Sequence, residues 1–331
     1  MIIDVFTHFF PEPYFRALTD RTSGLGAIAD RLNAIAPLAN LEARFRAMDV
    51  LQDYRQVICL PSPPAEEIAA PDIAAAICRI GNDALAELVA NHPDRFAAFV
   101  AAVSLLDADA AVAEIDRAVT SLGARGVQIY TNVAGRPLDL PEFEPVFAAM
   151  ARHDLPVFLH PARTAAMTDY ASEPRSRLEM WWCLGWPYET SVAMARLVFS
   201  GLFDRHPTLK VITHHMGAMI PAMDGRLDGG MRFLGSRTSD EDYSAVLPSL
   251  RRPHADYFRD FYADTALFGG RSGLLAGVDF FGVDHVVFAT DAPFAPVQST
   301  YDALAVLGLS TEDRRKILQG NAERLLKLAP V

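Results

Sequence analysis

Eight short runs rich in β-branched and aromatic residues recur along the chain, separated by stretches with the apolar spacing of helices. The candidate strands are Ile2 to His8, Gln56 to Leu60, Phe96 to Val103, Gly126 to Tyr130, Val157 to His160, Lys210 to His215, Phe261 to Ala263 and His285 to Thr290. Helical patterns cover Ile73 to Asn91, Ala110 to Leu122, Glu142 to His153 and Glu189 to His206. Strand–helix alternation of this kind, in a 331-residue chain, predicts a (β/α)8 barrel of the TIM type, a fold that typically needs ~250 residues. No internal repeat, low-complexity tract or Gly/Ser linker interrupts it, so a single barrel domain spanning residues 1–331 is expected.

Three of these runs end on side chains capable of chemistry. Val157-Phe158-Leu159 leads to His160, Val211-Ile212-Thr213 to His214 and His215, and Val286-Val287-Phe288-Ala289-Thr290 to Asp291. Barrel enzymes assemble their active sites at the C-terminal ends of the strands, so these residues are expected to share one site. Two long segments also follow strands and are candidate lids: 9–40 after the first strand and 161–187 after the fifth. The second holds all three tryptophans of the chain, Trp181, Trp182 and Trp186, beside Tyr188. They form either a plug on the barrel rim or an aromatic wall against an organic substrate.

Composition removes several functions. The chain is 51% hydrophobic, enough for a large core, and its net charge of -11 is dispersed, which argues against a nucleic-acid partner. Cys59, Cys78 and Cys183 are too few and scattered for a disulfide framework; they read as buried apolar thiols of a reducing compartment. Met1-Ile2-Ile3-Asp4 starts directly on a strand and no uncharged stretch is long enough to span a bilayer, so a cytoplasmic location is expected, with no membrane partner. The only lysines, Lys210, Lys316 and Lys327, sit at the N-terminal end of a strand and in the C-terminal helix, away from any Schiff-base or metal-bridging position. Gly225, Gly229 and Gly230 do not follow a strand, so a nucleotide cofactor is not indicated. Strand alternation sends His214 to the side opposite His215, among the helices. His92, His153, His206, His254 and His285 read as structural, and Ser239-Asp240-Glu241-Asp242 as a solvated run.

The strand-end motifs, together with Gly126-Val127-Gln128-Ile129, Trp186-Pro187-Tyr188-Glu189-Thr190 and the stretch from His215-Met216-Gly217 to Gly225-Arg226, resemble the decarboxylase branch of the amidohydrolase superfamily. Aminocarboxymuconate-semialdehyde decarboxylase is the nearest likeness, with γ-resorcylate and 5-carboxyvanillate decarboxylases as relatives, and the resemblance runs from Ile2 to about Leu328. It implies a metal-dependent carbon–carbon lyase that decarboxylates a small unsaturated or aromatic carboxylic acid. By the same resemblance, His8, His160 and Asp291 hold one divalent ion, Zn²⁺ first and Mn²⁺ second, while Asp291 and His215 handle protons. Trp182 contacts the substrate, and Arg226 reaches its carboxylate from the neighbouring subunit of a homodimer. The first strand of the family normally ends in His-X-His; here the stretch is Phe6-Thr7-His8, and phenylalanine cannot ligate a metal. Asp4 shares that face but lies deeper, as a structural carboxylate. Three alternatives stay open: a metal-dependent hydrolase of an ester, amide or lactone; a hydratase; and a non-catalytic acid-binding barrel whose metal site has decayed.

Overall fold

The computed structural model describes residues 1–22, 30, 33–237 and 241–329. Part of the first candidate lid, and Ser239 and Asp240 of the acidic run, lie outside the described residues. Strand β1 (Ile2–His8) pairs in parallel with β2 (Tyr54–Cys59), and β2 with β3 (Phe96–Phe99, resumed after Val100 as Ala101–Ala102). The parallel order continues through β4 (Val127–Tyr130), β5 (Val157–His160), β6 (Val211–Thr213), β7 (Tyr262–Asp264) and β8 (Val286–Val287). The chain closes β8 onto β1: Val5 N–H donates to Phe288 O (2.9 Å), His8 N–H to Ala292 O (2.8 Å) and Asp291 N–H to Phe6 O (3.2 Å). The expected (β/α)8 barrel forms, and its last turn of hydrogen bonds sets His8 beside Asp291.

The helices follow ordinary rules of start and stop. Helix Pro71–Asn91 opens with proline in its first turn and buries Ala74, Ile77, Cys78, Gly81, Ala84 and Leu85, a stripe with helical spacing. Asp107 caps helix Ala108–Ser121 by accepting from Ala110 N–H at 3.0 Å. The single helix expected over Glu189 to His206 is two, Gly185–Phe199 and Leu202–Arg205, because Gly201 adopts a left-handed φ of 72° between them.

Strand β6 is shorter than its sequence run. It ends at Thr213, and His215, Met216, Gly217 and Ala218 all take positive φ, from 55° to 72°. Four consecutive residues of positive φ turn the chain sharply across the barrel mouth. Gly217 is required there twice over, since its φ is 72° and a Cβ would stand 2.5 Å from the Phe281 ring.

Beneath the mouth, the buried Phe6 ring stacks on Phe158 with centroids 5.7 Å apart. Deeper still, Asp4 accepts hydrogen bonds from Tyr54 Oη, Thr290 Oγ1 and Thr290 N–H, tying β1 and β2 to the residues that follow β8. Burial raises the Asp4 carboxyl to about 6, against the lowering effect of those hydrogen bonds. Lys210 and Lys327 both pair with Asp154, at 2.6 and 2.9 Å, before β6 begins and so away from the mouth. Cys59 and Cys78 are buried as expected, but Cys183 is exposed because it lies on a short helix of the loop after β5, outside the barrel core. Among the described residues no helix is long and apolar enough to cross a membrane.

Candidate active site

His8 and His160 are the last residues of β1 and β5, so strand geometry alone delivers both imidazoles to the mouth. His8 turns Nδ1 toward Leu60 O and Cys59 Sγ, each at 3.3 Å, and Nε2 toward Asp291 Oδ1 at 3.1 Å. His160 directs Nδ1 to Pro161 O at 2.7 Å. With Nδ1 of each ring engaged by a backbone carbonyl, Nε2 is left as the lone-pair atom facing inward. Asp291 has φ of 64°, a left-handed conformation that aspartate tolerates better than most residues.

His214 is where expectation and structure part. Alternation sends its side chain outward among the helices; instead its ring stands 4.3 Å from that of Phe6, 5.3 Å from that of His160 and 3.8 Å from that of His215. Alternation holds only while the backbone is extended, and the left-handed turn after His214 swings His215 to the same side. Asp264, at the end of β7, clamps the pair: its Oδ2 accepts from His214 Nδ1–H and its Oδ1 accepts from His215 N–H at 3.0 Å. In the sequence, the adjacent His-His pair at the end of β6 is the signal that a carboxylate such as Asp264 is needed nearby.

Ligand atoms of His8, His160 and His214 lie within 4.8 Å of one another, as do those of His214, His215 and Asp291. Donors about 2.1 Å from a single divalent ion stand ~3–4 Å apart. The 3.1 Å between His8 Nε2 and Asp291 Oδ1, and the 3.8 Å between His214 Nε2 and the same oxygen, fall in that range. His214 Nε2 and His215 Nδ1 are buried without hydrogen-bond partners, a cost of ~1–3 kcal/mol for each such atom unless a ligand engages it. A buried set of imidazoles and carboxylate with inward lone pairs fits one divalent cation.

Protonation within the cluster is strongly differentiated. Burial would raise the Asp291 carboxyl, but His214 and His8 outweigh it and hold Asp291 well below the usual carboxylate range. Burial would lower His214, but Asp264 and Asp291 outweigh it and lift the imidazole to about 9. Burial, reinforced by His214, lowers His215 to about 3, and burial with His214 and His8 also lowers His160.

These groups floor a cavity of about 640 Å³ lined by His8, His160, His215 and Asp291 below and by Trp181, Trp182, Trp186, Leu267, Phe268 and Phe294 around it. All three tryptophans face the cavity. Trp182 is held by a 2.8 Å bond from Nε1 to Glu179, while Trp186 lies nearest the floor, with its ring 5.4 Å from His160 and its Nε1 bonded to Arg163 O at 3.1 Å. Trp186 was within the aromatic run but not singled out; only the fold distinguishes it. Ile35, from the first candidate lid, also lines the cavity. Arg226 does not: it is exposed in the segment Arg226–Gly230, outside the lining of its own chain's cavity.

The chain belongs to the amidohydrolase family, whose pattern matches residues 3–328. It is 34% identical over 304 residues to a γ-resorcylate decarboxylase of Rhodococcus jostii, with 87% of each chain covered. Among solved structures it resembles 5-carboxyvanillate decarboxylase from Sphingomonas paucimobilis, with a TM-score of 0.84, 26% identity and 99% of both chains covered. It also resembles a dihydroxybenzoic acid decarboxylase from Polaromonas sp. JS666 solved with bound manganese and the inhibitor 2-nitroresorcinol, with a TM-score of 0.80, 27% identity and coverage of 100% of this chain and 98% of that one.

Proposed function

We propose that the protein is a metal-dependent decarboxylase of a small aromatic or unsaturated carboxylic acid. The observation that carries this reading is the meeting of buried His8, His160, His215 and Asp291 at the floor of a tryptophan-walled cavity. His8, His160 and Asp291, which line one cavity, would hold one divalent ion, with Zn²⁺ favoured by the imidazole donors over the Mn²⁺ bound in the Polaromonas relative. When bound, the ion supplies an electrophile that fixes substrate oxygens and offsets the negative charge developing on the ring or diene.

The protein side chains divide the remaining work. Asp291, held ionised, begins as a base and accepts the proton of a substrate hydroxyl or carboxyl group. His215, neutral in the resting site, lines the same cavity with Nδ1 free; its low basicity makes its conjugate acid a strong proton donor. A proton passed from this pair forms a C–H bond at the carbon bearing the carboxylate. The C–C bond then breaks, its electron pair returns to the ring or diene, and CO₂ leaves. That electron pair stays in the product, so the reaction needs no redox partner. Trp182 and its aromatic neighbours would cover the flat substrate and exclude water.

Arg226 would act across a homodimer, gripping the substrate carboxylate of a second copy's cavity. Exposed Met219, Met223 and Phe233, before and after that segment in the chain, support an apolar contact there. Sedimentation should give a particle of two 36.2 kDa chains, and a monomer at micromolar concentration would remove Arg226 from the mechanism. A cytoplasmic location is proposed from the free, buried thiols of Cys59 and Cys78.

Release of CO₂ from a panel of hydroxybenzoic and muconate-type acids, abolished by chelation and by Asp291→Asn, is the expected result. Silence across that panel, with metal-dependent turnover of esters or lactones, would overturn the decarboxylase reading in favour of a hydrolase.

A further inference from the structure

We infer that His214 is itself a metal ligand, supplying from β6 the imidazole that Phe6 does not supply from β1, with Asp264 as its positioning residue. The inference rests on the metal site proposed above and extends it to a residue that strand alternation places elsewhere.

Four observations converge. His214 Nε2 is buried, has no hydrogen-bond partner, and lies 3.8 Å from Asp291 Oδ1. Its ligand atom belongs to both compact donor groups, the one with His8 and His160 and the one with His215 and Asp291. Its Nδ1 is committed to the Asp264 carboxylate, which keeps one proton there and, once the second is lost, points the Nε2 lone pair at the other donors. A carboxylate behind a ligating imidazole is the usual way a protein orients such a ring and strengthens it as a donor. Finally, the Phe6 ring sits against both candidate imidazoles, with centroids 4.3 Å from His214 and 5.1 Å from His8. Phe6 is thus the packed wall that holds His214 in place.

The neighbouring His215 serves a different surface. Asp264 holds its backbone N–H rather than its ring, and the ring faces the substrate cavity beside Trp186. His214 does not contribute to that lining. One carboxylate therefore divides the pair, His214 to the metal and His215 to the substrate.

X-ray absorption at the zinc edge of the full chain, loaded with one equivalent of Zn²⁺, counts coordinated imidazoles directly. The expected count is three in the wild type and in His215→Ala, and two in His214→Ala, with Zn²⁺ affinity in His214→Ala down at least ~100-fold. Asp264→Asn should keep three imidazoles and lose ~10–100-fold in affinity, as expected when a partner behind the ligand is removed. Tight zinc held by two imidazoles in the wild type, or a count that falls in His215→Ala instead, would overturn the role of His214 while leaving the metal site standing. A wild type that binds no divalent ion would overturn both. The wild-type count does not depend on any variant folding.

Discussion

Of the groups gathered at the barrel mouth, His8, His160, His214 and Asp291 are between 1% and 5% exposed, and each histidine has its second nitrogen against a backbone carbonyl or a carboxylate. The wall built by residues 161–187 is of another kind: Trp181, Trp182 and Trp186 are only half-buried, and Leu178 beside them is 84% exposed. The floor rests on strand ends that share hydrogen bonds around a closed barrel, so its atoms have little freedom. In the wall, Trp181 and Trp182 sit on the short helix Met180–Cys183 and Trp186 in the first turn of the helix Gly185–Phe199, with rings held by single bonds such as Trp182 Nε1 to Glu179. Rigid, desolvated groups are suited to shifting protons and fixing charge, whereas large, half-exposed rings can follow the outline of a flat ligand. Chemistry and substrate choice should therefore be separable by mutation.

The largest test is at the floor. Asp291→Asn keeps the shape of the side chain but loses its charge, so kcat should fall at least ~10³-fold while the chain remains folded. Retained turnover above a tenth of wild type would show that the wall, or the metal alone, does the work. At the wall, Trp182→Ala should raise KM by ~10-fold, worth ~1.4 kcal/mol, with little change in kcat. A drop confined to kcat would mean that the wall takes part in the chemical step and would break the distinction.

The smallest effect sharpens the comparison between the floor and the barrel interior beneath it, where Asp291 and the deeper Asp4, both buried, are tuned in opposite directions. Asp4, raised to about 6 from 3.8, binds its proton more tightly folded than unfolded. Its contribution to stability is therefore full below the unfolded value and is lost as pH rises through about 6. Chemical denaturation of the wild type and Asp4→Asn from pH 4 to pH 7 should show the wild type losing ~1–3 kcal/mol relative to the variant over that interval. Parallel curves would mean that the hydrogen bonds from Tyr54 and Thr290 hold Asp4 ionised throughout.

Much of this site is legible without coordinates because β1 and β5 stay extended to their last residue. His8 and His160 then follow from where the apolar run stops, and Asp291 from the last run and its barrel context. The pairing of His214 with His215 is not legible in that way. The His214 backbone is still extended and keeps it on the inner face of Ile212; that His215 joins it there depends on the sign of φ at His215 and the three residues after it, and hydrophobic periodicity carries no information about that sign. Nor does periodicity separate Trp186, which reaches the His160 ring, from Trp181 and Trp182 a turn earlier.

The order of apolar runs and helices by itself determined a parallel eight-stranded barrel with histidines and an aspartate at its mouth, because strand period and burial are local properties of the chain. Only the tertiary structure decided that His214 joins that cluster behind Phe6, that Asp264 divides it from His215, and that Arg226 stays outside its own cavity. Those outcomes depend on a left-handed turn closing against Phe281 and on residues from β1, β6 and β7 meeting across the barrel, where contact is set by three-dimensional closure and not by spacing along the chain.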